Sequence, residues 1–122
     1  VSYNIDSTEI LSGSLTIAVS DLFRLHAELR SVPEANFIGE MKARYVGLDE
    51  KPEEMPIPHF WWCGECSGTS YGKLLSDVIP CLRGKADIVL TWEGGDSISG
   101  LRIEDGKFTE CDVVQTLQPR TA

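Results

Sequence analysis

Ala86-Asp87-Ile88-Val89-Leu90-Thr91-Trp92-Glu93-Gly94-Gly95-Asp96-Ser97-Ile98-Ser99-Gly100-Leu101-Arg102-Ile103-Glu104-Asp105-Gly106-Lys107-Phe108-Thr109-Glu110-Cys111-Asp112-Val113-Val114 alternates apolar and polar residues, interrupted by two short glycine-containing breaks. A period of two places alternate side chains on opposite faces of a strand. Asp-Gly between alternating runs favours the positive backbone angles of a tight hairpin turn, and Gly-Gly-Asp serves the same purpose. The stretch therefore predicts a three-stranded antiparallel meander with turns at Gly94–Asp96 and Glu104–Gly106.

Working back from it, Ser70 to Leu82 carries Tyr71, Leu74, Leu75, Val78, Ile79 and Leu82 at helical spacing behind Thr69 or Ser70 as a cap, with Pro80 bending its last turn and Gly84 ending it. His59 to Cys63 is aromatic and strand-prone. Asp49 to Pro58 holds three prolines and four acids, which predicts an exposed extended loop outside any ladder. Asn36 to Leu48 leaves two alternatives open: Phe37, Met41 and Tyr45 recur every four residues as in a helix, while Ala43 to Val46 suits a short strand. Asp21 to Arg30 reads as a helix, with Leu22, Leu25 and Leu29 on one face and Ser20 as cap. Ser2 to Ala18 reads as a first strand with a bulge at Gly13. The expectation is a single α+β domain over residues 1–122, a mainly antiparallel sheet with two helices packed on one face.

The chain carries 19 acidic and 11 basic residues, a formal net charge of −8. That balance disfavours direct contact with nucleic acid or an anionic bilayer. No run approaches the ~20 apolar residues of a membrane helix, and no secretory leader is visible, so a cytoplasmic setting is expected. Residues 93–112 hold six acids, Glu93, Asp96, Glu104, Asp105, Glu110 and Asp112, against Arg102 and Lys107. On adjacent strands these should gather on one face or end of the sheet and present a field suited to a basic protein. Phe60, Trp61 and Trp62 stand consecutively, so on a strand Trp61 faces opposite to its neighbours and is a candidate partner anchor.

Cys63-Gly64-Glu65-Cys66, preceded by Trp62, resembles the Trp-Cys-Gly-Pro-Cys site of the thioredoxin family over five residues. The resemblance implies a redox dithiol whose first thiolate is stabilised at a helix N-terminus. Here the helix is expected only at Ser70, and Glu65 stands where that family has proline, which disfavours the thiolate. The same two cysteines could form half of a zinc site, with His59, Cys81 or Cys111 as further ligands, but no second knuckle completes it. Ser67 to Ser70 before a helix lacks the lysine and spacing of a phosphate loop. His26 and His59 stand in no hydrolytic motif.

The sequence thus points away from an enzyme and from any cofactor, toward a small acidic protein-binding module. A stoichiometric inhibitor of a basic nuclease or other nucleic-acid-handling effector, as among immunity proteins and viral anti-defence proteins, is the expected class. The alternatives are a zinc or thiol module centred on Cys63 and Cys66, and a homo-oligomerising accessory subunit.

Overall fold

The computed structural model describes residues 5–63 and 69–113. Among these the fold is α+β, built on a six-stranded antiparallel sheet. The strands are β1 (Ile5–Ala18), β2 (Glu54–Pro56), β3 (Phe60–Trp61), β4 (Leu82–Trp92), β5 (Ser97–Glu104) and β6 (Lys107–Cys111). Their order is β2-β1-β4-β5-β6, with β3 sharing the outer edge of β1 with β2. Helices α1 (Val19–Glu28) and α2 (Asn36–Val46), a third helical stretch and short 3-10 turns at Pro33–Ala35 and Glu93–Gly95 join them.

The meander forms as the alternation predicts, β4 pairing with β5 and β5 with β6. Asp105 and Gly106 both take positive φ, +47° and +84°, as a tight hairpin turn matching the strand twist requires. The expected end of β6 at Val114 lies outside the described residues, as do Ser2 to Asn4 at the start of β1. In β1 the register shifts between Ile10 and Ser12, and Gly13, at φ +82°, lies against Lys85 and Ala86 of β4. The resulting irregularity moves the buried side chains from Thr8 and Ile10 to Leu15 and Ile17, so one long strand keeps one face inward.

Alternate positions Leu82, Ala86, Ile88 and Leu90 of β4, with Leu101 and Ile103 of β5, bury on the side covered by the helices. Against them pack Leu22 and Leu25 of α1, Phe37, Ile38 and Met41 of α2, and Leu74, Val78 and Ile79 of the third stretch. The ambiguous segment is therefore a helix. Spacing of three and four residues brings Phe37, Ile38 and Met41 to one stripe and leaves Ala43, Arg44 and Val46 exposed.

Several expectations are corrected. Helix α1 begins at Val19, so Ser20 lies inside it, and Ala18 at the N-cap supplies no side-chain bond. The third stretch is not one regular helix. An α-turn over Thr69–Lys73 becomes a π-turn over Leu74–Val78 and a 3-10 turn over Ile79–Cys81, which accommodates Pro80. The capping side chains proposed at Thr69 and Ser70 lie outside the described residues. Leu82 already belongs to β4, and Gly84 lies within that strand opposite Leu15 rather than ending the helix.

The proline-rich loop does join the sheet. Glu54–Pro56 pairs with Thr16–Ala18, and Met55 and Ile57 are buried. The Glu53 carbonyl accepts from Val19 N–H and Ile57 N–H donates to Leu15. Odd-numbered residues thus bond to β1, and the even-numbered Pro56 and Pro58 direct their missing N–H outward, where an outermost strand needs no donor.

Candidate protein-binding site

The aromatic segment departs from strict alternation. β3 spans only Phe60 and Trp61, and Trp62 adopts φ +41°, which turns it to the same interior as Trp61. Both indoles are buried and each packs edge-on against Phe37. The Thr8 hydroxyl, itself fully buried, donates to the Trp62 carbonyl at 3.0 Å and holds the turn. At 1% exposure Trp61 is a core residue and not a partner anchor. The exposed aromatic is its neighbour Phe60, at 59%. His59 does not share the face of Trp61 either, because its Nε2 meets Glu9 Oε1 at 3.0 Å on the opposite side of the sheet.

The six acids of the meander do not collect on one face. Glu93 and Asp96 belong to the β4–β5 turn, and Glu104 and Asp105 to the β5–β6 turn. These turns lie at opposite ends of the eight-residue β5, roughly 25 Å apart at ~3.4 Å per residue. That exceeds the ~10 Å screening length at 0.1 M salt, so they are two separate fields. Glu104 approaches Lys85 at 3.8 Å, and Arg102 holds Asp87 through its Nε at 2.8 Å. The Arg102 hydrogen bonds hold the Asp87 carboxyl below its ordinary pKa.

Glu110 stands opposite Leu101 in the middle of β5, and Asp112 follows it toward the Glu93–Asp96 end. Pairing of Leu101 with Glu110 places Glu110 on the helix-covered side. There Tyr71, Trp92, Ser97, Ser99, Glu110 and Asp112 line an open cleft of about 540 Å³. Trp92 Nε1 donates to Ser99 Oγ at 2.9 Å, which fixes the indole. The Tyr71 ring stands edge-on to it with centroids 5.0 Å apart, and its hydroxyl donates to Glu110 Oε1 at 3.4 Å. Burial, reinforced by the adjacent Glu110 charge, pushes the Tyr71 phenol up to about 12, so at neutral pH it remains a donor. An aromatic wall beside carboxylates suits a cationic side chain through cation–π attraction and charge-assisted hydrogen bonds. Periodicity assigns Tyr71 and Trp92 to the core. The signal that marks them otherwise is position, since Trp92 is the last residue of β4 and Tyr71 lies in the first turn of its helix.

The three described cysteines lie in separate segments of the fold. Cys63 is exposed, Cys81 ends the third helical stretch, and Cys111 ends β6; Cys66 lies outside the described residues, as does the Ser67-Gly68 turn. Among the described residues no group of three or more His, Cys, Asp and Glu side chains could hold a metal ion. At Cys81, Arg24 Nη2 donates to Sγ at 3.1 Å, yet burial outweighs it and pushes the thiol above its ordinary pKa. No helix among the described residues is long and apolar enough to cross a membrane. Comparison with protein-family models, curated proteins and solved structures finds no match for this chain.

Proposed function

We propose that this chain is a small cytosolic protein-binding module without catalytic activity of its own, acting stoichiometrically on a basic protein that handles nucleic acid. It would occupy that partner's cationic site in the manner of an immunity or anti-defence inhibitor. The observation that carries the reading is the cleft between Tyr71 and Trp92, with Glu110 and Asp112 on its wall and the Glu93–Asp96 turn directly after Trp92. Surfaces that bind nucleic acid display arginine and lysine, and a partner side chain of that kind finds here both a π-face and carboxylates. The net charge of −8 adds long-range attraction to such a surface and repels its natural ligand.

An oligo-arginine peptide is the probe for the test. Titration followed through the three indole N–H resonances should move that of Trp92 and leave those of the buried Trp61 and Trp62 in place. Binding should saturate at one peptide per chain, weaken as salt is raised, and weaken further in Glu110→Gln/Asp112→Asn. An equal loss in Glu104→Gln/Asp105→Asn, at the far end of the sheet, would reduce the effect to net charge and overturn the assignment.

A further inference from the structure

The side of the sheet away from the helices carries a different surface. Cross-strand register places Glu9, Val89, Gly100 and Cys111 in one row across β1, β4, β5 and β6, and Thr91 and Ile98 in the next. Leu11, in the β1 irregularity, and Val113 line a shallow depression of about 230 Å³ with Val89, Gly100 and Cys111, which the paired Asp87 and Arg102 and the acidic Asp112 also border. Gly100 keeps the centre flat, since a Cβ there would meet Val113 at 3.4 Å. Phe60, beside Glu9, extends the apolar half outward from β1. Leu11, Phe60 and Ile98 are 61%, 59% and 45% exposed, an unusual concentration of large apolar side chains on one side of a small domain.

The other half of this face is charged but balanced. Its ladder-paired positions carry four acids, Glu9, Glu54, Asp87 and Glu104, and four bases, Arg83, Lys85, Arg102 and Lys107. They pair within the chain: Arg83 with Glu54, Arg102 with Asp87, and Lys85 with Glu104. The ladder positions of this face are therefore neutral, with Asp112 the one further charge lining the depression.

We propose that this open face is the interface between two copies of the chain. Two bodies of charge −8 repel one another, and a face whose ladder charges balance and whose other half is apolar is where that repulsion is least and burial gains most. The same neutrality makes it a poor match for a basic partner. A two-fold axis would lay apolar half on apolar half, each copy supplying the same patch.

The test is sedimentation equilibrium of the full chain from about 10 μM to 1 mM, a range that brackets a modest interface. A dimer of twice 13.5 kDa is expected. It should tighten as salt rises from about 0.05 to 0.5 M, because screening removes repulsion between the copies. Binding of a basic partner must weaken over the same range, so the two readings fail independently. Leu11→Glu/Ile98→Glu should weaken the dimer by roughly tenfold or more with the folded circular dichroism spectrum retained. Phe60→Ser is the second variant should that one not fold. A chain that stays monomeric to 1 mM, or a dimer indifferent to both variants, overturns the proposal. So does a monomer whose Leu11, Val89 and Ile98 amide resonances shift on removal of residues 114–122, which would give the face to the chain's own tail.

Discussion

Gly13→Ala tests the close approach of β1 and β4. At φ +82° an L-residue costs about 1–2 kcal/mol. The new Cβ would in addition overlap the Lys85 carbonyl oxygen and lie 2.9 Å from Ala86 Cα, both backbone atoms that cannot rotate aside. The strands must separate, and distorting two neighbouring ladder hydrogen bonds adds about 1 kcal/mol each. The expected loss is about 3–4 kcal/mol, against roughly 6–18 kcal/mol for a chain of 122 residues. Gly94→Ala is the control. Its φ of +70° carries the same conformational cost, but its Cβ would meet nothing within 4 Å. With an unfolding entropy of about 2.1 cal/mol/K per residue, 1 kcal/mol corresponds to about 4 °C. Calorimetry should therefore show a Tm loss of about 4–8 °C for Gly94→Ala and about 12–16 °C for Gly13→Ala. Losses within about 1 kcal/mol of each other would refute the close approach.

Leu74 is fully buried while Leu75 is only partly so, and Leu74→Ala should cost about 2–5 kcal/mol in urea denaturation, clearly more than Leu75→Ala; the reverse order would place the third helical stretch on the wrong face. Tyr71 should titrate near pH 12 by tyrosinate absorbance, and Glu110→Gln should lower it part of the way, because burial is the larger cause. As the folded value lies above the ordinary one, the Tyr71 contribution to stability is intact below about pH 10 and is lost as pH rises through about 12.

Where local chemistry suffices, the sequence is legible. Asp105-Gly106 specifies its turn through backbone angles that few other pairs adopt, and the alternation around it sets β5 and β6. The stripe from Leu74 to Ile79 shows the buried side of the third helical stretch, but its winding depends on how Pro80 is accommodated before β4. The segment around Met55 is misread because proline excludes a central strand and not an outermost one, and parity decides whether its absent donor matters. The two tryptophans are misread because the positive φ at Trp62 breaks a rule that presumes a regular strand. At the candidate site the acids are visible in the sequence but their grouping is not. Adjacency in the chain places Glu104 beside Arg102, whereas the hairpin sends Glu104 and Glu110 to opposite faces of the sheet. The aromatic wall of Tyr71 and Trp92 depends on a contact between a helix and a strand end, which no local pattern encodes.

The position of β1 has a consequence for synthesis. Its main partner is β4, and residues 19–81 intervene. At about 5–20 residues per second, a ribosome needs roughly 3–13 s to supply them. Throughout that interval the inner edge of β1 has no native mate. The outer edge is served first, because β2 and β3 emerge before β4, and Pro56 and Pro58 face away from β1, where they cannot donate to another strand. The nascent chain is thus protected on one side by proline while the other waits, and its period of greatest vulnerability to wrong pairing ends when Leu82–Trp92 leaves the exit tunnel.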